Sequence, residues 1–271
     1  MNNETPDEKA SLLLRLMEKR RLLGFEKSFK MAENTLLDKR FLLGISKHDV
    51  PQDSLFAICE RMGLQADYLS AFMDNLQNAD IVHFGFEENE SGCVYKVYLE
   101  YCAKYYSQKD TNKNNTNEPF QLHLAFKWNP LSHKAGTIAR YIYHPRLSLT
   151  NIFERLSTIY SGAKDKFSFE IAKGIVNAAS ARLDANNLMY IEVSEEGNPR
   201  LSFDIKLYES NLRLCDINDF LSRIRQHYST PAVQFEHMYN KIKTNRVVHL
   251  SGGVDREGKD FFTFYYAPDM S

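Results

Sequence analysis

Two hydrophobic periods take turns along this chain. In "IVHFGFEENESGCVYKVYLEY" apolar and polar positions alternate one for one on either side of the polar stretch "EENESG", which predicts strand, turn, strand. "VVHLSGGVDREGKDFFTFYYAP" repeats the pattern later, and its "VVHL" matches "IVHF" almost residue for residue. "LMYIEVSEEGNPRLSFDIKLYES", turning at "EEGNP", predicts a third hairpin, and "FQLHLAFKWNPLSHKAGTIARYIYHP" a fourth with a longer turn. A further strand is predicted upstream by "RFLLGIS", Arg40 to Ser46.

Between the hairpins the period lengthens to about 3.6. "PQDSLFAICERMG" and "DYLSAFMDNLQ" each set their apolar residues on one helical face before the first hairpin. "LTNIFERLSTIYSG" and "FEIAKGIVNAASARL" precede the hairpin of "LMYIEV", and "INDFLSRIRQHYS" and "AVQFEHMYNKIK" that of "VVHL", with Asp216, Thr230 and Pro231 as start signals. The unit is therefore helix, helix, strand, strand, repeated over a single domain of residues 1–271. "SQKDTNKNNTNE", Ser107 to Glu118, is a polar low-complexity link expected to be a mobile loop. The basic stretch "EKRRLLGFEKSFK" reads as a solvated helix face.

The second strands carry one apolar face, with Val97 and Leu99, Phe203, Ile205 and Leu207, Phe262 and Phe264, and this face is expected under the helices. The opposite face carries Lys96 and Tyr98, Lys206 and Tyr208, Tyr265, and in the remaining hairpin Tyr141 and Tyr143. First strands add His83, His123, Tyr190 and His249 at matching positions. Closing the sheet turns this face into a lumen and removes the edges an antiparallel sheet must otherwise protect. The expected fold is α+β: a closed antiparallel β-barrel of eight to ten strands with helices outside.

Composition excludes several partners. The 271 residues carry a net charge of −1, so nothing recommends nucleic acid. No apolar run approaches the roughly 20 residues of a membrane helix, so no membrane insertion is expected. Four dispersed cysteines without a CxxC pair, and a charged beginning, point to a reducing cytoplasm. "LSGGVDREG" lacks the strand and helix context of a phosphate loop and reads as a hairpin turn.

The repeated helix-helix-strand-strand unit, with "KVY" giving Lys96 and Tyr98, "KLY" giving Lys206 and Tyr208, and "TFY" giving Tyr265, resembles the ABBA-type aromatic prenyltransferases. The resemblance implies transfer of an allylic prenyl group from an isoprenoid diphosphate to an aromatic small molecule or peptide side chain. It implies diphosphate binding by Lys96, Lys206 and Arg140, although "ARYIYHP" sets Arg140 out of phase with its tyrosines. Tyr98, Tyr141, Tyr143, Tyr208 and Tyr265 would shield the allyl cation through ring attraction worth about 0.5–2 kcal/mol each. Glu87, Glu192 or a first-strand histidine would take the ring proton. No cofactor is required and magnesium is admissible, but no DDxxD segment is present to bind diphosphate through it. His83, His123 and His249 are read as lumen-lining residues in preference to metal ligands. The alternative is a non-catalytic barrel that binds an amphipathic ligand with the same tyrosines as walls.

Overall fold

The computed structural model describes residues 5–89, 92–103, 105–106, 117–132, 136–162, 165–183 and 188–268. Ten strands are present: β1 Leu22–Ala32, β2 Thr35–Ser46, β3 Ile81–Asn89, β4 Gly92–Glu100, β5 Phe120–Trp128, β6 Thr137–His144, β7 Met189–Glu195, β8 Leu201–Lys206, β9 Arg246–Val254 and β10 Asp260–Ala267. They close into one barrel in the order β1-β10-β9-β8-β7-β6-β5-β4-β3-β2. Apart from the β1–β10 contact that closes the ring, every strand neighbours those beside it in sequence, so hairpins and helix-bearing links between consecutive strands build it.

Seven α-helices stand among the described residues: α1 Pro6–Met17, α2 Gln52–Arg61, α3 Ala66–Leu76, α4 Leu149–Ile159, α5 Phe167–Ser180, α6 Asn218–His227 and α7 Ala232–Ile242. Six were legible from period alone. The seventh, α1, is started by Thr5, whose side chain accepts from the Glu8 amide while Glu8 reaches back to the Thr5 amide, with Pro6 in the first turn. No helix of the described residues is long and apolar enough to cross a membrane.

The basic stretch near the beginning corrects the sequence reading. Residues from Leu22 onward are strand, not helix face, and form with β2 a hairpin that turns at Glu33 and Asn34, where Asn34 takes the left-handed conformation (φ 56°). Alternation was present, with Phe29 and Met31 fully buried, but interleaved charges disguised it. The polar link falls almost entirely on residues 107–116, outside the described residues.

The chain gathers into two compact units. The first comprises Met1–Phe25, Lys39–Thr116 and Gln121–Tyr141, the second Glu26–Asp38, Asn117–Phe120 and Ile142–Ser271. In the first, helices α1 to α3 cover the outer sheet face: Leu13, Leu55, Ile58, Phe72 and Leu76 pack with Ile45, Val82, Phe84, Val97, Leu99 and Phe126. In the second, Ile152, Leu156, Ile171, Ile175, Leu221 and Ile224 from α4 to α6 pack with Phe29, Phe203, Ile205, Leu250, Phe262 and Phe264. Each such side chain contributes about 1.5–3 kcal/mol of burial, which fixes the faces of the strands. The apolar outer face expected from sequence is thus the one under the helices.

Candidate active site

With the outer face fixed by hydrophobic burial, strand register decides what shares the inner face. In the first unit Arg40 pairs with Glu87 and Gly44 with His83 across β2 and β3, and His83 pairs with Tyr98 across β3 and β4. Across β4 and β5, Lys96 stands directly opposite Lys127, and Glu100 opposite His123. One face therefore carries Arg40, His83, Glu87, Lys96, Tyr98, Glu100, His123 and Lys127.

Glu87 is clamped between two cations. Lys96 Nζ donates to its Oε2 at 2.6 Å, and Arg40 Nη1 stands 2.9 Å from the same atom. The three side chains are 13 %, 7 % and 15 % exposed for Lys96, Arg40 and Glu87, so these charges lie largely out of water and depend on one another. Like charges placed directly opposite in a sheet repel, as Lys96 and Lys127 do here. Tyr98 and Tyr141 meet edge to face at 5.7 Å, and Lys127 Nζ lies 5.9 Å from the Tyr141 ring. Burial, with Tyr141 beside it, pushes the Tyr98 phenol well above its usual range and keeps it protonated. On the same face His83 Nε2 lies 2.6 Å from Glu100 Oε2.

The second unit's inner face follows from β8 to β10 and β1. Lys206 and Asp204 pair with His249 and Ser251, Tyr265 pairs with His249, and Ser28 pairs with Tyr265. His249 sits at the centre of a polar chain. Its Nδ1 lies 2.8 Å from Asp204 Oδ1 and its Nε2 2.6 Å from the Tyr208 hydroxyl, which in turn donates to Glu26 in a short hydrogen bond. Burial works against charging His249, but the Asp204 and Glu26 carboxylates and the Asp204 hydrogen bond outweigh it and raise its pKa above the ordinary imidazole value. A doubly protonated ring with a donor at each nitrogen satisfies both contacts. The Tyr265 ring stands 5.5 Å from that of His249. Gly253 lets β9 pass close to β8: at φ 144°, a Cβ there would come within 2.4 Å of the Leu201 carbonyl.

Several expected site residues fall elsewhere. Tyr190 pairs with Ile205 and Glu192 with Phe203, so both lie on the helix side of the sheet. There Glu192 receives Arg155 of α4 at 2.7 Å and stands 3.2 Å from His144 Nε2. Burial alone would raise its pKa, but those two hydrogen bonds hold it at about 2. Glu192 thus stands on the helix side, engaged by Arg155 and His144, and Tyr190 is core and not lumen. β8 ends at Lys206, so Tyr208 is not the next residue of a stave; it opens a 3-10 turn and is 44 % exposed. Arg140 is exposed and donates to Gln121 at 3.0 Å, while the Tyr143 ring meets Phe120 at 5.4 Å. His83 and His123 come within 6.2 Å, centroid to centroid, whereas His249 belongs to the second unit with the partners above.

Arg40, Lys127, Glu26, Asp204 and Glu100 had no role assigned from sequence. The alternation of "RFLLGIS" did place Arg40 with Gly44, but only the β2–β3 pairing brings it to Glu87.

No family model matches this chain, and neither does any curated protein. Solved structures do. 5-Dimethylallyltryptophan synthase from Streptomyces coelicolor superposes with a TM-score of 0.65 at 11 % identity, covering 97 % of this chain and 91 % of that one. The same enzyme in complex with DMASPP and Trp gives 0.63 at 11 % identity, over 97 % and 89 %. 6-Dimethylallyltryptophan synthase from Micromonospora olivasterospora, also in complex with DMASPP and Trp, gives 0.59 at 12 % identity, over 98 % of each chain. The likeness is one of fold: the closed ten-stranded antiparallel barrel with helices outside matches the ABBA fold of these structures.

Proposed function

We propose that the chain is an aromatic prenyltransferase that moves an allylic group from an isoprenoid diphosphate to an aromatic acceptor, its two units acting as one barrel domain. The observation that carries this reading is the cation set of the first unit: Arg40, Lys96 and Lys127 come from three strands to one face beside Tyr98 and Tyr141, with the Glu87 carboxylate joined to Arg40 and Lys96. An incoming diphosphate relieves the opposition of Lys96 and Lys127, and its charge grows as the carbon–oxygen bond breaks, so the same cations stabilise the transition state more than the substrate. The neutral, half-buried Tyr98 and the Tyr141 ring face the allyl cation that the leaving diphosphate creates. Lys206 and Tyr265 lie on the inner face of the second unit.

The electrons move simply. The diphosphate departs with the pair of the broken carbon–oxygen bond, a ring π pair forms the new carbon–carbon bond, and the ring proton must then leave. Glu87 is already engaged by two cations and is poorly placed to accept it. In the second unit Tyr208 offers a proton route, its hydroxyl passing its own proton to Glu26 as it gains another, with Asp204 and His249 fixing its orientation. Tryptophan is the first acceptor to try, because the superposing synthases are named for it. Differential scanning fluorimetry tests the donor side: dimethylallyl diphosphate should raise the melting temperature and dimethylallyl alcohol should not. Equal shifts would favour a passive amphipathic-ligand barrel.

A further inference from the structure

We propose that His83, Glu100 and His123 form a site for a late first-row divalent cation, with Zn²⁺ as its occupant. This goes beyond the prenyl-transfer reading, which routes no step through a metal. The side chains come from β3, β4 and β5, and their donor atoms all lie within 4.8 Å of one another. His83 Nε2 and Glu100 Oε2 are already 2.6 Å apart, and the two imidazoles meet edge to face with centroids at 6.2 Å. Register holds them together: Glu100 is the direct partner of His123, and His83 the partner of Tyr98, one inner-face position along β4 from Glu100. A continuous ladder positions all three, so the geometry is preorganised by rigid strands.

Gly44 supplies a second, independent observation. It is the cross-strand partner of His83, and a Cβ there would lie 2.9 Å from His83 Nδ1 and 3.1 Å from Cε1. The glycine thus clears the space the imidazole occupies.

The donor set selects the ion. Two imidazoles and one carboxylate suit zinc and cobalt, whereas magnesium takes oxygen ligands and keeps its waters. Metal–ligand bonds of about 2.0–2.2 Å set tetrahedral donors roughly 3.4 Å apart, so the His83–Glu100 contact opens and any wider pair closes by about 1 Å, within the reach of side-chain rotation. Three protein ligands leave a fourth position open for water or a substrate atom, and all three residues are half-buried rather than sealed.

The test reads binding without any substrate. Full-length protein stripped with chelator and desalted is titrated with Co²⁺ and followed by its visible d–d bands, then back-titrated with Zn²⁺. Saturation at one equivalent with four- or five-coordinate bands, displaced by Zn²⁺, is expected. His83→Gln, Glu100→Gln and His123→Gln should each weaken binding beyond the roughly 10–100-fold that changes around a ligand shell cost, with the circular dichroism unchanged, while His48→Gln should leave it intact. Should a variant lose its fold, Gly44→Ala reads the same site by crowding His83, and weaker binding is expected. No saturable one-equivalent binding, or undiminished binding in the three ligand variants, overturns the proposal. Prenyl transfer would be unaffected by that result, and an inactive protein that still binds Co²⁺ in this way leaves the site standing.

Discussion

The two units solve opposite electrostatic problems on the same kind of surface. In the first, one carboxylate, Glu87, is shared by Arg40 and Lys96, and Lys127 stands across from Lys96. In the second, one imidazole, His249, is shared by Asp204 and, through Tyr208, by Glu26. The first arrangement is rich in cations and suits a ligand that arrives as an anion. The second sets two carboxylates around that imidazole, with Lys206 opposite it, and on the proposed reading suits a proton that must be accepted and held. A strand face lined with charge and tyrosine thus takes its chemistry from which sign is in the minority.

The largest effect is expected from breaking the cation-rich side. Lys96→Ala should lower turnover by about a hundred- to a thousandfold, as removal of a preorganised transition-state partner does, and should weaken dimethylallyl diphosphate binding in calorimetry. Arg40→Lys, which keeps the charge but loses the planar fork, should show a smaller loss in the same assay. If both variants bind and turn over like wild type, the first unit's cations are structural.

Next comes the carboxylate-rich side. Glu26→Gln and Tyr208→Phe should each cut turnover about a hundredfold while leaving diphosphate affinity unchanged, a split visible in kcat against KM. Greater loss of binding than of rate would contradict the relay.

The pH response sharpens the same contrast. His249 has a raised folded-state pKa, so its stabilising contribution is complete below the unfolded imidazole value and disappears as pH rises through the folded one. Denaturant midpoints measured across neutral pH should fall with rising pH, and His249→Gln should flatten that slope. Glu192 works in the other direction: held at about 2, it adds stability above the ordinary carboxylate range that is lost as pH falls. The smallest effect on chemistry is expected from Glu192→Gln, which should leave turnover unchanged while lowering acid stability.

The helix-facing half of this architecture was legible because it depends on apolar period, and Val97, Phe203 and Phe264 fell where alternation placed them. The inner face was less so. In β7 both faces mix apolar and polar residues: Ile191 and Val193 share the face of Asp204, while Tyr190 and Glu192 turn outward. Hydrophobicity cannot choose between such faces, and a one-residue shift exchanges them. Tyr190, fully buried in the helix-side core, turns that face outward, and Arg155 of α4 meets the Glu192 carboxylate that comes with it. Tyr208 escaped for a different reason, since strand continuation past Lys206 depends on pairing and not on the residue's own preference. Arg40 and Glu87 lie 47 positions apart in the chain, and only long-range pairing unites them.

The most direct measurement of the central claim is product formation. Purified protein incubated with dimethylallyl diphosphate and tryptophan, then with a panel of other indoles and phenols, is analysed by mass spectrometry. The account predicts an acceptor carrying one dimethylallyl group in place of one hydrogen, formed together with diphosphate and lost in Lys96→Ala. An inert wild-type protein across that panel and across geranyl and farnesyl diphosphates, in spite of intact folding, would contradict it.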